Sequence, residues 1–312
     1  MTTIKISDLE VIHDVDPQVL VQAEILGIKP ADVLSTTVLD GGRGRRTWLV
    51  KLATDSYVLR NRQFLGDEDV ATTVAAQKKV GPAVIASNVA GGLLLTQWID
   101  GQVPSGNEIR EHFLPELAQA LATLHSITNI HGQPITEVVS GIDPLMTRAD
   151  YLASIKRVHN RPSWVEPILQ LDELDAIGHR LTRIAGAQPM VLIHGDPVPG
   201  NIVVGADGLK FVDFEFAGAG NALYEVGHAV AGLHLSGDEI EDFACHYGDA
   251  QAAPVIEAWS YLAAQAWAVW VAMGTAPGTQ SPMWQEWAQH ATVRLMQAHQ
   301  AGRFAHLMGD LA

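Results

Sequence analysis

Apolar residues recur along this chain at two periods, and the change between them marks out its elements. In residues 17–26, Val19, Leu20, Ala23 and Leu26 fall at helical intervals, and Gly27 can end the helix. Strand-like segments follow at 34–39, 47–52 and 56–59, joined by Asp40-Gly41-Gly42-Arg43-Gly44 and by Ala53-Thr54-Asp55. A helical segment over 68–80 ends at Gly81-Pro82, and residues 93–99 read as a buried strand running into Asp100-Gly101. Beyond it Ile109, Phe113, Leu117, Leu121 and Leu124 give 108–127 a helical period. Residues 128–150, with Gly132, Pro134, Gly141 and Pro144, read as irregular. Helical patterns resume over 148–158, 166–185 and 258–273.

Between the last two of these helices lies the stretch that carries chemistry, VLIHGDPVPGNIVVGADGLKFVDFEFAGAG at 191–220. Asp196 and Asn201 stand on a turn after the apolar run 190–193, and Asp213 ends the strand-like 209–212. Phosphoryl transfer from ATP calls for this set of groups: a carboxylate that takes the acceptor hydroxyl's proton, and hard oxygens that hold magnesium against the phosphates. Asp196 is the candidate base, with Asn201 and Asp213 the candidate ligands for Mg2+. The spacing of His194, Asp196 and Asn201 is that of a kinase catalytic loop, and Asp213-Phe214-Glu215 stands where a kinase carries the D-F-G segment with its metal-binding aspartate.

The HGD-x-x-x-x-N run followed by VDFEFAG resembles the superfamily of choline and ethanolamine kinases and aminoglycoside phosphotransferases, over about residues 34–273. The resemblance implies an α+β, two-lobed protein-kinase-like fold: a small β-rich nucleotide-binding lobe over 1–100 and a larger, mostly helical catalytic and acceptor-binding lobe over 101–312. It implies that Gly41, Gly42 and Gly44 form a loop over the phosphates, where glycine lets backbone N–H groups approach closely. Arg60 takes the place of the phosphate-contacting base, with Glu68 its expected partner and Asp67 and Asp69 as rivals. Backbone groups near Gln97, Trp98 and Ile99 would pair with adenine. His125 would be a structural residue beneath the catalytic loop. At Glu225 relatives usually carry Asp, so a hydrogen bond that steadies the loop would be reached by a longer arm.

The chain has 312 residues, 47% apolar and 18% charged, enough for two lobes and against disorder. Its single cysteine, Cys245, excludes an internal disulfide framework and fits a reducing compartment. No basic-then-apolar leader opens the sequence and no apolar run spans a bilayer comfortably, so a cytoplasmic protein is expected. A formal charge of −15 argues against nucleic acid or an anionic membrane as partner. The charge is uneven. Residues 38–64 carry +4 and everything from Leu65 onward −15, which places the polyphosphate against the first segment and favours a cationic second substrate. Histidines lack metal-site spacing, and no G-x-S-x-G elbow supports a hydrolase.

The acceptor is suggested by AWSYLAAQAWAVWVAM at 258–273, where Trp259, Ala263, Trp267 and Trp270 share one helical face. Trp267 and Trp270 resemble the paired tryptophans that choline kinases place around a quaternary ammonium, with Glu215 either a carboxylate that completes the site or an anchor of its loop. Core packing is the alternative for these indoles, as it is for Trp284 and Trp287. The expected reaction is ATP-dependent phosphorylation of a hydroxyl on a small cationic alcohol such as choline or ethanolamine. An aminoglycoside, amino-sugar or thiamine kinase is the alternative, with Asp238, Glu239, Glu241 and Asp242 as an acidic rim. A catalytically silent nucleotide-binding protein is the second.

Overall fold

Alternation along the first strands decides what the N-terminal sheet packs against. In the computed structural model, which describes residues 15–39, 46–62, 65–274 and 279–311, five strands form one antiparallel sheet. They are β1 (Ser35–Val38), β2 (Arg46–Lys51), β3 (Ser56–Asn61), β4 (Val84–Asn88) and β5 (Leu93–Gln97), in the order β1-β2-β3-β5-β4. Because side chains alternate, Trp48, Val50, Leu59, Leu93 and Leu95 fall on one face and are buried with Val19, Ala23 and Leu26 of helix α1 (Pro17–Ile25) and its exit. Asp16 opens that helix, its carboxylate accepting the Gln18 N–H at 2.8 Å. Arg60 follows Leu59 and therefore faces the other way, toward helix α2 (Glu68–Gln77) and the second half of the chain. The glycine-rich turn with Gly41, Gly42 and Gly44 lies outside the described residues.

A second core begins with α2 and runs to the C-terminus, so the chain holds two separate hydrophobic clusters. This is the two-lobed α+β arrangement expected, a sheet followed by a mostly helical region. The helix Ala253–Met273 is buried on nearly every side and forms the axis of the second cluster, as a helix apolar all round must. Helices Ala222–Gly232, Pro282–Gln300 and Pro144–Ile155 pack around it. Gly227 permits the closest of these approaches: a Cβ there would collide with Cβ of Trp259 and come within 2.9 Å of the Ser260 nitrogen. Among the described residues no helix is long and apolar enough to cross a membrane.

Prolines account for the helical stretches that the sequence pattern reads as longer. The 108–127 period is broken into a wide turn at Ile109–Phe113 and the helix Leu114–His125, with Pro115 in the new first turn. Pro167 confines Ser163–Gln170 to a tight 3-10 turn before Glu173–Gly186 begins. Residues 128–150 contain a two-residue hairpin, the turn Ile135–Val138 and the start of Pro144–Ile155, which Asp143 caps.

Gly227→Val is expected to destabilise the protein by about 1–3 kcal/mol, the usual result of overpacking a close helix contact. Urea unfolding measures it; an unchanged midpoint would mean that the two helices can separate freely.

Candidate active site

Glu225, in the first turn of Ala222–Gly232, is fully buried and organises the turn after strand Val191–Ile193. Its Oε2 accepts the His194 N–H at 2.9 Å and its Oε1 the Gly195 N–H at 2.6 Å. His125 Nε2 lies 2.9 Å from Oε2, and His125 Nδ1 in turn 2.8 Å from the Tyr247 hydroxyl. Burial pushes the Glu225 pKa up, but His125, His194 and the donated N–H outweigh it and hold the carboxyl below the ordinary range. Gly195 has φ +81°, and a Cβ there would collide with the Phe216 carbonyl, so the turn admits glycine alone. His125 thus does more than pack, since it supplies the partner for an anion that water cannot reach.

The His194 ring ties this turn to the neighbouring strand end. Its Nε2 donates to the Val212 carbonyl at 2.9 Å, while Nδ1 accepts the Asp196 N–H at 3.2 Å, an arrangement that fixes the tautomer. Burial keeps the imidazole pKa low and the ring neutral. Val212 N–H also donates to the Asn201 carbonyl at 2.9 Å. Asp196, Asn201 and Asp213 are thereby brought to one place. Asn201 Nδ2 donates to both the backbone oxygen and Oδ2 of Asp196, each at 3.0 Å. With its nitrogen so directed, the amide turns its oxygen Oδ1 away from Asp196.

Asp213 holds a left-handed backbone, φ +68°, that few residues other than glycine adopt. Arg60 Nη1 and Arg62 Nη2 both meet its Oδ1 at 2.8 Å. Arg60 also donates to Glu68 at 2.6 Å, and Arg62 Nε lies 2.8 Å from the other Glu68 oxygen. Burial lowers the Arg60 pKa, but Asp213 and Glu68 more than compensate and leave it raised. Burial likewise raises that of Asp213, while Arg60 and Arg62 bring it below the ordinary aspartate value. Both guanidinium contacts fall on Oδ1, so Oδ2 is the oxygen that a hard cation would meet. Asn201 Oδ1 and Asp213 Oδ2 fit magnesium, which takes few protein ligands and completes its shell with phosphate and water oxygens.

Arg62 is missing from the site residues inferred from sequence, although it stands two positions after Arg60 and period-two alternation sends both to one face. Its Nη1 pairs with Glu215. The Glu215 carboxylate thus turns toward β3, and the residue is not among those that line the cavity beside Asp196. Near the hinge the Gln97 side chain is exposed, and Trp98 and Ile99 are half-buried. The Gln97 N–H donates to Ala83 at 2.8 Å and the Trp98 N–H to Ser56 at 2.9 Å, so neither remains for a ligand.

Beside Asp196 opens a cavity of about 230 Å³. Trp259, Trp267 and Trp270 line it together with Tyr151, Phe216 and Tyr224, and the Tyr224 ring packs edge-on to Trp259 at 5.5 Å. Trp267 and Trp270 also pack with Trp284 and Trp287, at ring-centroid distances from 5.9 to 6.4 Å, so the four indoles form one aromatic cluster. His228, 4.8 Å from the Trp267 ring, is held neutral by burial, which lowers its pKa to about 4. The four acidic residues considered for an aminoglycoside rim sit on Asp238–Tyr247, where Glu239 pairs with Arg110, and none lines this cavity.

The family model described as "Phosphotransferase enzyme family" matches residues 30–270, and the chain belongs to that family. It is a small-molecule phosphotransferase with a hydroxyl as acceptor. No curated protein sequence matches it. Its fold is similar to that of a choline/ethanolamine kinase family protein from Mesorhizobium loti, with a TM-score of 0.73 at 19% identity over 93% of this chain and 97% of that one. The choline kinase LicA from Streptococcus pneumoniae matches at TM-score 0.65 and 16% identity, covering 86% of this chain and 94% of its own. A spectinomycin phosphotransferase solved with ADP and spectinomycin matches at TM-score 0.55 and 13% identity, over 90% and 93% of the two chains.

Glu225 gives the site a pH dependence. A carboxylate with a depressed folded pKa stabilises fully above its unfolded value of about 4.3 and loses that contribution as pH falls through the folded one. Glu225→Gln is expected to cost about 2–3 kcal/mol at neutral pH, and the gap to the parent protein should close on acidification below pH 4. A pH series of denaturation curves tests this; a gap that stays constant down to pH 3 would remove the charge from the explanation.

Proposed function

We propose that the protein transfers the γ-phosphoryl group of ATP, with Mg2+, to the hydroxyl of a small amine-bearing alcohol of the choline or ethanolamine kind. The observation that carries this reading is the aromatic cavity opening directly onto Asp196. Asp196 accepts the proton of the acceptor hydroxyl, and the hydrogen bonds from Asn201 hold it in place for that step. Asn201 and Asp213 would hold the metal, which would supply charge neutralisation for the phosphates when bound. Arg60, kept charged by Glu68, grips phosphate oxygens bidentately. Gly41, Gly42 and Gly44 would cover the phosphates. Backbone groups of Gln97, Trp98 and Ile99 other than the Gln97 and Trp98 N–H, which are already used, would pair with adenine. The lobe boundary near residue 100 follows, with the nucleotide between 1–100 and 101–312.

Trp267 and Trp270 present aromatic walls to the amine, a favourable surface for a cation. An aminoglycoside is disfavoured by the modest cavity and by the acidic helix lying elsewhere.

Asp196→Ala is expected to lower turnover by about 10²-fold or more while nucleotide affinity, read by calorimetry, stays near the parent's. Turnover close to normal would take the base role away from Asp196. Trp270→Leu is expected to weaken the amine acceptor by about 30-fold, the equivalent of about 2 kcal/mol, and to spare the KM for ATP. Equal losses for acceptor and ATP would assign the indole to packing alone.

A further inference from the structure

The acceptor cavity contains a second charge besides Asp196. Arg148, on helix Pro144–Ile155, lines the cavity although only 7% of its surface is exposed. Taking a guanidinium out of water is costly unless its donors are used. Its Nε donates to Gln265 Oε1 at 2.7 Å, and Nη1 to Asp175 Oδ1 at 2.9 Å. Those contacts leave Nη2 uncommitted among the described residues. Gln265 is itself 2% exposed and anchored on the Ile168 carbonyl, which fixes the arginine's direction. Asp175 is mostly exposed, its side chain at 63%, and so offsets the charge only weakly. Asp196 and Arg148 are the charged residues of the lining. A wall built only for a bare cation would not carry a buried arginine.

We infer that the acceptor carries, besides its hydroxyl and amine, an anionic oxygen group such as a carboxylate, which Arg148 binds through its free edge. The substrate class is then a hydroxylated zwitterion: the hydroxyl at Asp196, the ammonium against the indoles and the carboxylate at Arg148. This rests on the amine-alcohol reading above. Arg148 thereby determines specificity.

Matched acceptor pairs test it: ethanolamine against serine, 3-aminopropanol against homoserine, and choline against carnitine, each with Mg-ATP. The expected result is that in at least one pair the carboxylate-bearing member has a kcat/KM at least about tenfold higher, the worth of one charge-assisted hydrogen bond. Arg148→Met should remove that preference by raising the KM of the carboxylate-bearing acceptor at least about tenfold more than that of the other member or of ATP. Arg148→Lys, which keeps the charge, should restore part of it. If the members without a carboxylate are preferred in every pair, or if Arg148→Met depresses both members equally while lowering the melting temperature, Arg148 is a packing residue and the inference falls. If no amine is phosphorylated while a neutral polyol is, the amine-alcohol reading fails and takes this inference with it.

Discussion

Removing a carboxylate from water is tolerated only when its lone pairs are filled, and Glu225 meets that condition with two backbone N–H groups and one imidazole. The N–H groups belong to His194 and Gly195, immediately before Asp196, so the requirement that keeps Glu225 buried also sets the position of Asp196. The constraint passes outward from there. His194, neutral and wedged 4.6 Å from Phe214 and 5.5 Å from Phe211, bonds to Val212 and brings the Asp213 strand end beside the turn. The rest of the site hangs on these contacts: Asn201 on Asp196, and the two arginines of the N-terminal sheet on Asp213.

Arg60 and Arg62 of the N-terminal sheet reach across the boundary between the lobes to Asp213 and Glu215. Ala71, Val74, Ala75 and Val80 cross it as well, by joining the apolar core of the second lobe. On the proposed reading, a polyphosphate would compete with the carboxylates for the guanidinium groups, and a divalent cation would compete with the guanidinium groups for Asp213. Part of the junction would then consist of contacts that the reactants themselves could exchange.

Much of this was legible in the residues. The strand period around Leu59 and Arg60 fixes which face each occupies, and the HGD-x-x-x-x-N spacing places three polar groups together because hydrogen bonds close the turn. Glu225 was legible as a loop anchor. Arg62 was not singled out, because a second arginine in a basic segment looks like surface charge until a partner such as Glu215 is seen across the cleft. Arg148 was hidden for a similar reason: in a helix rich in polar residues nothing marks it as buried, and only the packing of Gln265 against it does. Gly218–Gly220 pairs with Val191–Ile193, yet three small residues carry no strand signal. The breaks at Pro115 and Pro167 were in the sequence, but apolar periodicity runs straight through them.

The central claim is that Asp196 activates a hydroxyl delivered by the aromatic cavity for attack on ATP. Phosphorus NMR of the protein with Mg-ATP and a set of hydroxylated amines tests it most directly. A new phosphomonoester resonance that grows with ADP only when an acceptor amine is present is the predicted result. ADP formed with free phosphate at the same rate whatever amine is added would contradict it.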